Sequence, residues 1–179
     1  SGDASTPVTR RSLVRYRGAS TLFRVDMRPK TTIAGAAAVL ALALAGSAAS
    51  SPGPEGPPLE PGPVLAPAGA PSLGEAVDGI GCERSEQVLF HIHARVTVYV
   101  GGRPRRIPYG IGIAPPREVA PTTRGAFVVG GSCFAWLHTH AADGVVHIES
   151  PVRRTYTLGN FFDVWGEPLS ASRVVPARG

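Results

Sequence analysis

The chain has 179 residues, with 18 Lys and Arg against 13 Asp and Glu and a formal net charge of +5. Residues 1–50 hold seven basic and two acidic side chains, whereas residues 51–179 hold eleven of each. The excess of basic charge therefore belongs to the N-terminal segment. The rest of the chain lacks the basic surface of a nucleic-acid-binding protein, and no nucleic-acid partner is expected.

The N-terminal segment has the layout of an export signal. Residues 1–26 show neither sustained apolar periodicity nor a helix cap, and we expect a disordered upstream extension. From Met27 onward, a basic stretch, an apolar run and small residues follow one another, which is typical of a signal peptide. The apolar run has about the minimum length that crosses a bilayer, ~17 residues. Residues 27–49 are therefore predicted to be a signal peptide or, if uncleaved, an N-terminal membrane anchor and the only contact with a membrane.

This layout predicts an extracytoplasmic protein, either secreted or anchored to the cell membrane by its N-terminal hydrophobic segment. Residues 50–72 are dense in Pro and Gly and predict an extended linker. Residues 73–179 are expected to form one His-rich domain, because they suffice for a single hydrophobic core. The domain stops at Gly179 without a closing strand, and we expect it to be incomplete at this end.

Strict alternation from Val88 to Val100 predicts the first clear strand of this domain. One face of this strand is apolar, and the other carries His91 and His93. The dipeptide Gly101-Gly102 predicts a tight hairpin turn. RPRRIPYGIGI should return as a strand at a sheet edge, because proline cannot donate to a central ladder. APPREVAPTTRGA is expected to be a loop.

AFVVGGSCFAWLHTH predicts further strand, the AADG that follows predicts a turn, and VVHIES predicts the return strand. One helix is expected near the end of the chain, in TLGNFFDVWG. Thr157 is its candidate N-cap and Gly166 its left-handed C-terminal residue, with Phe161, Phe162 and Trp165 in the core. The predicted fold class is mainly β, a small β-sandwich or barrel-like sheet of hairpins with one short C-terminal helix. An α+β, β-grasp-like fold is the alternative.

Cys82 and Cys133 are the two cysteines of the chain. An even count in an exported protein favours a disulfide. Such a bond would close a loop of about fifty residues and stabilise the fold by about 3–4 kcal/mol. The alternative is a thiolate metal ligand, because Cys133 lies shortly before His138 in the sequence.

The five histidines lie in two short segments of the sequence, as His91, His93, His138, His140 and His147. A four-residue hairpin loop would place His138 opposite His147, and a two-residue loop would place His140 there instead. Either register brings two imidazoles within reach of one ion. If the strand that carries His91 and His93 meets this hairpin, three or four ring nitrogens converge.

Imidazole ligands suit zinc, copper, iron and nickel, and we predict a copper or zinc site, with iron as a third candidate. Glu149 shares the parity of His147 and is a candidate ligand or an acceptor that orients one ring. The competing hypothesis is a non-metal cell-surface binding or structural module with hydrogen-bonded histidines. No catalytic residue and no motif for another cofactor is recognised, so catalysis and any protein partner are left open.

HIHARVTVYVGG, IPYGIGI, LHTHAADGVVHIESP and TYTLGNFFDVWGEPLS together resemble an uncharacterised family of exported or membrane-anchored proteins from actinobacteria and archaea. The resemblance covers about residues 77–175. It implies an extracytoplasmic location, both cysteines as recurrent features, and a further strand-turn-strand unit after this segment. It implies no particular activity.

Overall fold

A computed structural model describes residues 11–15, 21–28, 51–69, 71 and 73–169, with only the backbone described in the first two segments. The fold is mainly β, with three sheets, one of which curls into a half-barrel, and one short helix near the C-terminus. The predicted fold class is thereby confirmed.

The described strands, in chain order, are β1 (Arg11–Arg15), β2 (Thr21–Arg28), β3 (Ala76–Val77), β4 (Ile80–Glu83), β5 (Phe90–Val100), β6 (Arg103–Arg105), β7 (Glu118–Thr122), β8 (Gly125–Gly130), β9 (Phe134–Ala135), β10 (Leu137–His138) and β11 (Val145–Ser150). In the main sheet, β1, β2, β5, β11 and β10 lie side by side, and β6 pairs with one end of β5. The smaller sheets contain β3, β4 and β9, and the hairpin of β7 and β8. The helix α1 spans Leu158–Trp165.

The two faces of β5 differ in the way that the alternation of its sequence predicts. Ala94, Val96 and Val98 are buried in the same apolar core as the aromatic side chains of α1. The opposite face carries His91 and His93. The turn after β5 is also confirmed, because Gly101 and Gly102 both have positive φ and β6 pairs back on β5. The return strand is much shorter than RPRRIPYGIGI predicts, because β6 ends at Arg105 and residues 109–112 form turns. The main sheet therefore presents an apolar face to the core and a polar face to the candidate site.

The helix α1 begins and ends where its sequence predicts. The Thr157 hydroxyl accepts a hydrogen bond from the Asn160 backbone N–H, and the Asn160 side chain accepts one from the Thr157 N–H, which forms a capping box. Gly166 ends the helix with a φ of 78°. The side chains of Phe161, Phe162 and Trp165 are all buried. These aromatic residues therefore belong to the core, as predicted.

The sulfur atoms of Cys82 and Cys133 lie 2.03 Å apart, at disulfide distance. The disulfide expected from the cysteine count is present, and the alternative of a thiolate ligand at Cys133 is wrong. Because Cys82 also pairs with Ala135 across β4 and β9, the bond ties the small sheet to the segment that leads into β10.

The Pro- and Gly-rich segment differs from the extended linker that its composition predicts. The Leu65 N–H donates to the Arg106 carbonyl oxygen at 2.8 Å, and the Arg106 N–H donates to the Pro63 carbonyl oxygen at 3.0 Å. The Trp165 indole N–H donates to the Pro67 carbonyl oxygen at 2.6 Å. Proline lacks a backbone N–H but keeps its carbonyl, so Pro63 and Pro67 accept hydrogen bonds from donors of the domain. Residues 51–69 lie against the domain.

Two further segments contain strands that were not expected. The segment predicted to be a loop contains β7, which pairs with β8. The segment predicted to be a disordered extension contains β1 and most of β2, and β2 pairs along β5 from Thr21 opposite Val100 to Arg28 opposite His93. The sequence of β2 alternates Phe23, Val25 and Met27 with charged residues, which favours a strand.

No helix among the described residues is long and apolar enough to cross a membrane. The apolar part of the predicted signal peptide or anchor lies outside the described residues, as do residues 170–179, where the domain was expected to be incomplete. The predicted division into leader, linker and domain is otherwise untested and stays a prediction.

We expect two matched glycine substitutions to differ in their effect on stability. At Gly144, which has a φ of 79°, an added Cβ would lie 2.3 Å from the Val96 carbonyl oxygen on β5. Gly101 has a φ of 58°, and an added Cβ there meets nothing within 4 Å. A left-handed alanine costs about 1–2 kcal/mol at either position, and only the variant at Gly144 must also displace a neighbouring strand.

Urea denaturation should therefore show a larger loss of unfolding free energy in Gly144→Ala than in Gly101→Ala. Equal losses in the two variants would show that the close approach of the turn to β5 is not a constraint on the fold.

Candidate metal centre

Three histidines form one row across three neighbouring strands of the main sheet. His138 on β10 pairs with His147 on β11, and His147 pairs with His93 on β5. The centre of the His147 ring lies 4.2 Å from that of His93 and 5.3 Å from that of His138. This is the register of the four-residue hairpin loop, and the alternative register with a two-residue loop is wrong. The meeting of this hairpin with the strand that carries His93 is confirmed.

A second row lies two residues away on the same face, where Glu149 pairs with His91. Residues two apart on a strand point to the same side of the sheet, so this row adds an imidazole and a carboxylate to the cluster. The Oε1 atom of Glu149 lies 2.9 Å from Nε2 of His91 and 3.0 Å from Nδ1 of His147. Glu149 is 2% exposed, so its carboxylate is directed into the cluster and away from solvent.

His140 lies beyond the end of β10, and hydrogen bonds of the preceding residue, Thr139, fix its backbone. The Thr139 N–H donates to the Ile111 carbonyl oxygen at 3.0 Å, and the Thr139 hydroxyl donates to the Pro108 carbonyl oxygen at 2.9 Å. The same hydroxyl accepts a hydrogen bond from the Ile111 N–H at 3.1 Å. Because Thr139 is held on the opposite side of the chain, His138 and His140 are both turned toward the cluster.

The rings of His138 and His140 face each other through their Nε2 atoms, which lie 3.1 Å apart. Nδ1 of His138 lies 2.8 Å from the Ala135 carbonyl oxygen, and Nδ1 of His140 lies 2.6 Å from the Val128 carbonyl oxygen. A carbonyl oxygen only accepts hydrogen bonds, so both Nδ1 atoms carry the hydrogen. When both rings are neutral, two buried Nε2 lone pairs therefore point at each other.

His91 and His93 form a second facing pair, with 2.9 Å between their Nε2 atoms. This pair is less buried than the first: the His91 side chain is 24% exposed, whereas that of His138 is completely buried. Each His-x-His segment of the sequence thus delivers two ring nitrogens to one point.

His147 lies at the centre of the cluster and contacts two carboxylates. Its Nδ1 atom faces Glu149, and its Nε2 atom lies 2.9 Å from Oε2 of Glu55, which comes from the Pro- and Gly-rich segment. Asp143 holds this segment in place, because its Oδ2 atom accepts a hydrogen bond from the Glu55 N–H at 3.0 Å. Gly53 packs so closely on Asp143 that an added Cβ would lie 2.6 Å from the Asp143 Cβ.

The surroundings shift the pKa values of three side chains in the cluster. Burial opposes charge on His147, but its hydrogen bonds to Glu149 and Glu55 dominate and raise its pKa to about 9. Burial alone would raise the pKa of Glu149, but the hydrogen bond with His147 and the neighbouring imidazoles lower it to about 2. Burial, with repulsion from His140 and His147, lowers the pKa of His138 to about 3.

Three groups of side chains in the cluster can each hold a metal ion, because their ligand atoms lie within 4.8 Å of one another. The groups are His91, His93, His147 and Glu149; His138, His140 and His147; and Glu86, His138 and Glu149. Among the described residues, the buried Oε2 atom of Glu149 and Oε1 atom of Glu55 have no hydrogen-bond partner. A buried oxygen without a donor is costly, and a cation bound by Glu149 would remove this cost for its Oε2 atom.

The structure brings together all six predicted site residues, the five histidines and Glu149. It adds two carboxylates that the sequence did not single out, Glu55 and Glu86. The Oε1 atom of Glu86 lies 3.3 Å from Nε2 of His140, and the Glu86 side chain is 38% exposed at the edge of the cluster. Nothing in the local sequence of Glu55 marks it, because it reaches His147 through long-range packing. Asp143, expected only as a turn residue, also positions Glu55.

Comparison of the chain with family models, with curated proteins and with solved structures finds no match.

Removing the Glu55 carboxylate should lower the pKa of His147 in the metal-free protein. In Glu55→Gln, burial opposes the charge of His147 with one carboxylate fewer, so we expect its pKa to fall from about 9 toward 6.5. NMR titration of the His147 ring protons measures this shift. Glu60→Gln is the matched control, because Glu60 lies in the same segment but pairs with Arg95 at 2.9 Å. An unchanged His147 pKa in Glu55→Gln would contradict the contact.

The metal-free protein should be most stable near pH 6.5. The folded-state pKa of His147 is raised from 6.5 to about 9. Its contribution to the free energy of unfolding is therefore lost as the pH rises from 6.5 to about 9. The folded-state pKa is lowered from 6.5 to about 3 for His138 and from 4.5 to about 2 for Glu149, so their contributions are lost as the pH falls. Urea denaturation across this range measures the profile.

The His147→Gln variant should lose much of the decline in stability above pH 6.5 and keep the part of the acid-side decline that the burial of His138 causes. A decline above pH 6.5 that is the same in this variant and in the native chain would show that His147 does not cause it.

Proposed function

We propose that this chain is an extracytoplasmic metal-binding domain whose histidine cluster holds a transition-metal ion, copper or zinc, with iron as the third candidate. The observation that carries the proposal is the buried pair of His138 and His140. Their Nδ1 atoms are engaged by carbonyl oxygens, and their Nε2 atoms lie 3.1 Å apart. A cation between the two lone pairs turns a repulsion into two bonds.

The spacing of the ring nitrogens is that of two ligands on one ion. Nitrogens bound at about 2.0–2.1 Å, with ligand angles between square and tetrahedral, lie about 2.8–3.4 Å apart. The Nε2 atoms of His138 and His140 lie 3.1 Å apart, and those of His91 and His93 lie 2.9 Å apart. Both distances fall within this range.

The chemistry of the donors favours zinc or Cu²⁺ over Cu⁺. The cluster offers imidazole nitrogens and carboxylate oxygens, whereas the two cysteines are joined to each other and belong to none of its ligand groups. Thiolate and thioether ligands select Cu⁺, whereas imidazole and carboxylate together suit zinc, Cu²⁺ and iron. Backbone carbonyls orient the rings of His138 and His140, as acceptors commonly do for metal-binding histidines.

A second function, a non-metal module with a hydrogen-bonded histidine cluster, is favoured by the contacts of His147. As an imidazolium, His147 donates to Glu149 and Glu55 and offsets their charges without any metal. A proton shared between His138 and His140 would likewise relieve their repulsion. Neither proton reaches the unpartnered Oε2 atom of Glu149, which lies 3.9 Å from Nε2 of His138. A metal ion accounts for more of the buried polar atoms.

The extracytoplasmic part of the proposal is supported by the signal-peptide pattern and by the family resemblance. The pairing of Cys82 with Cys133 agrees with both, because disulfides persist in oxidising compartments such as the periplasm and the cell exterior.

The proposal predicts that the full chain, purified without a His tag, retains close to stoichiometric or higher amounts of copper or zinc, measured by mass spectrometry. His138→Ala and His147→Ala should each weaken the affinity for the ion that the replaced residue binds by at least about 10-fold, because even residues that only support a ligand contribute that much. Glu60→Gln should bind like the native chain. Circular dichroism of each variant shows whether the chain is still folded, and so whether weaker metal binding comes from the missing imidazole or from unfolding.

A native chain that stays metal-free after incubation with copper and zinc would refute the metal-binding function. The hydrogen-bonded histidine module would then be the better description.

A further inference from the structure

We infer that the cluster holds two metal ions, one between His91 and His93 and one between His138 and His140, with the Glu149 carboxylate as the bridge between them. This inference rests on the proposed metal-binding function and adds to it the number of ions and the division of the ligands.

The order of the strands separates the two histidine pairs. His91 and His93 lie on β5 and His138 ends β10, and β11 runs between these strands. Neighbouring strands lie about 4.7–4.9 Å apart, so the backbones of the two pairs are separated by about twice that distance. Glu149 and His147 project from the middle strand, between the pairs.

The cluster is too wide for all of its ligand atoms to bind one ion. Two ligands of one ion at about 2.1 Å each lie at most about 4.2 Å apart. The mutually close ligand atoms place His91 and His93 in one group and His138 and His140 in another, each within 4.8 Å. His147 belongs to both groups. The two pairs are therefore two preformed sites with shared residues between them.

Glu149 has the position of a bridging carboxylate. Its Oε1 atom lies 2.9 Å from Nε2 of His91, and its Oε2 atom is directed toward His138, 3.9 Å from Nε2. Oε2 is buried and has no hydrogen-bond partner among the described residues, although Oε1 has two imidazole contacts. Bridged ions in proteins commonly lie about 3.5–4 Å apart, and one carboxylate spans that separation.

The charges around the cluster suit more than one divalent cation. Glu149 contributes one negative charge, the Glu55 carboxylate contacts His147, and the Glu86 carboxylate contacts His140. Glu86 is exposed and lies beside the His138–His140 pair, where it can complete the ligands of the second ion. Glu55 balances charge beside His147. A single divalent ion would leave part of this negative charge uncompensated.

The number of ions bound per chain distinguishes the two-ion cluster from a single-ion site and from a protein that binds no metal. Native mass spectrometry of the full chain, loaded with zinc and freed of excess metal, should show two zinc ions per chain. The double variants His91→Gln/His93→Gln and His138→Gln/His140→Gln should each keep one ion. One ion in the native chain, lost in both double variants, would overturn the two-ion inference and leave the metal-binding function standing. No bound ion would overturn both.

A second measurement does not depend on these variants folding. Two Cu²⁺ ions bridged by Glu149 should couple, giving a half-field electron paramagnetic resonance transition and less than the full signal per copper. Glu149→Gln should weaken the coupling, and the matched variant Glu118→Gln, which changes an exposed carboxylate on β7, should keep it. Full, uncoupled intensity from the native chain at saturating copper would contradict the bridge and overturn the inference.

Discussion

The pairing of β11 between β10 and β5 is the constraint on which the rest of the site depends. The pairing brings His138, His147 and His93 into one row and Glu149 beside His91 in the next. A shift of one residue would turn His147 and Glu149 to the other face of the sheet. Val146 and Ile148, which alternate with them, are buried in the apolar core. The core therefore fixes the register, and the register assembles the site.

Burial of this cluster makes charged side chains unfavourable and thereby sets which of them are protonated. A charge removed from water is expensive unless a partner is close, so His138 is held neutral while His147 and Glu149 are held as an ion pair. A bound cation would take over the role of the His147 proton and supply a partner for the Glu149 oxygen that lacks one. The same balance explains why Glu55 is needed beside His147, where it supports the positive charge of the metal-free form.

The parts of the fold that local patterns control could be predicted from the sequence, whereas long-range packing could not. Two-residue alternation predicted β5, and the AADG turn signal predicted β11 as the return strand. The residue types of Thr157 and Gly166 predicted both ends of α1. The hairpin register was left open, because AADG is compatible with two loop lengths and only the packing of β11 against β5 decides between them. Glu55 could not be found, because composition predicts a linker and says nothing of the surface against which it lies.

The Pro- and Gly-rich segment connects the stability of the domain to the chemistry of the site. Proline restricts the unfolded chain, so ordering this segment costs less conformational entropy than ordering a flexible one. Its carbonyl oxygens accept hydrogen bonds from Arg106 and Trp165, and its Glu55 reaches His147. The histidine cluster thus combines residues from this segment, β5, β10 and β11, which are distant in the sequence and meet only in the folded chain. Because an ion bound there would hold these parts together, metal binding should add directly to the free energy of unfolding.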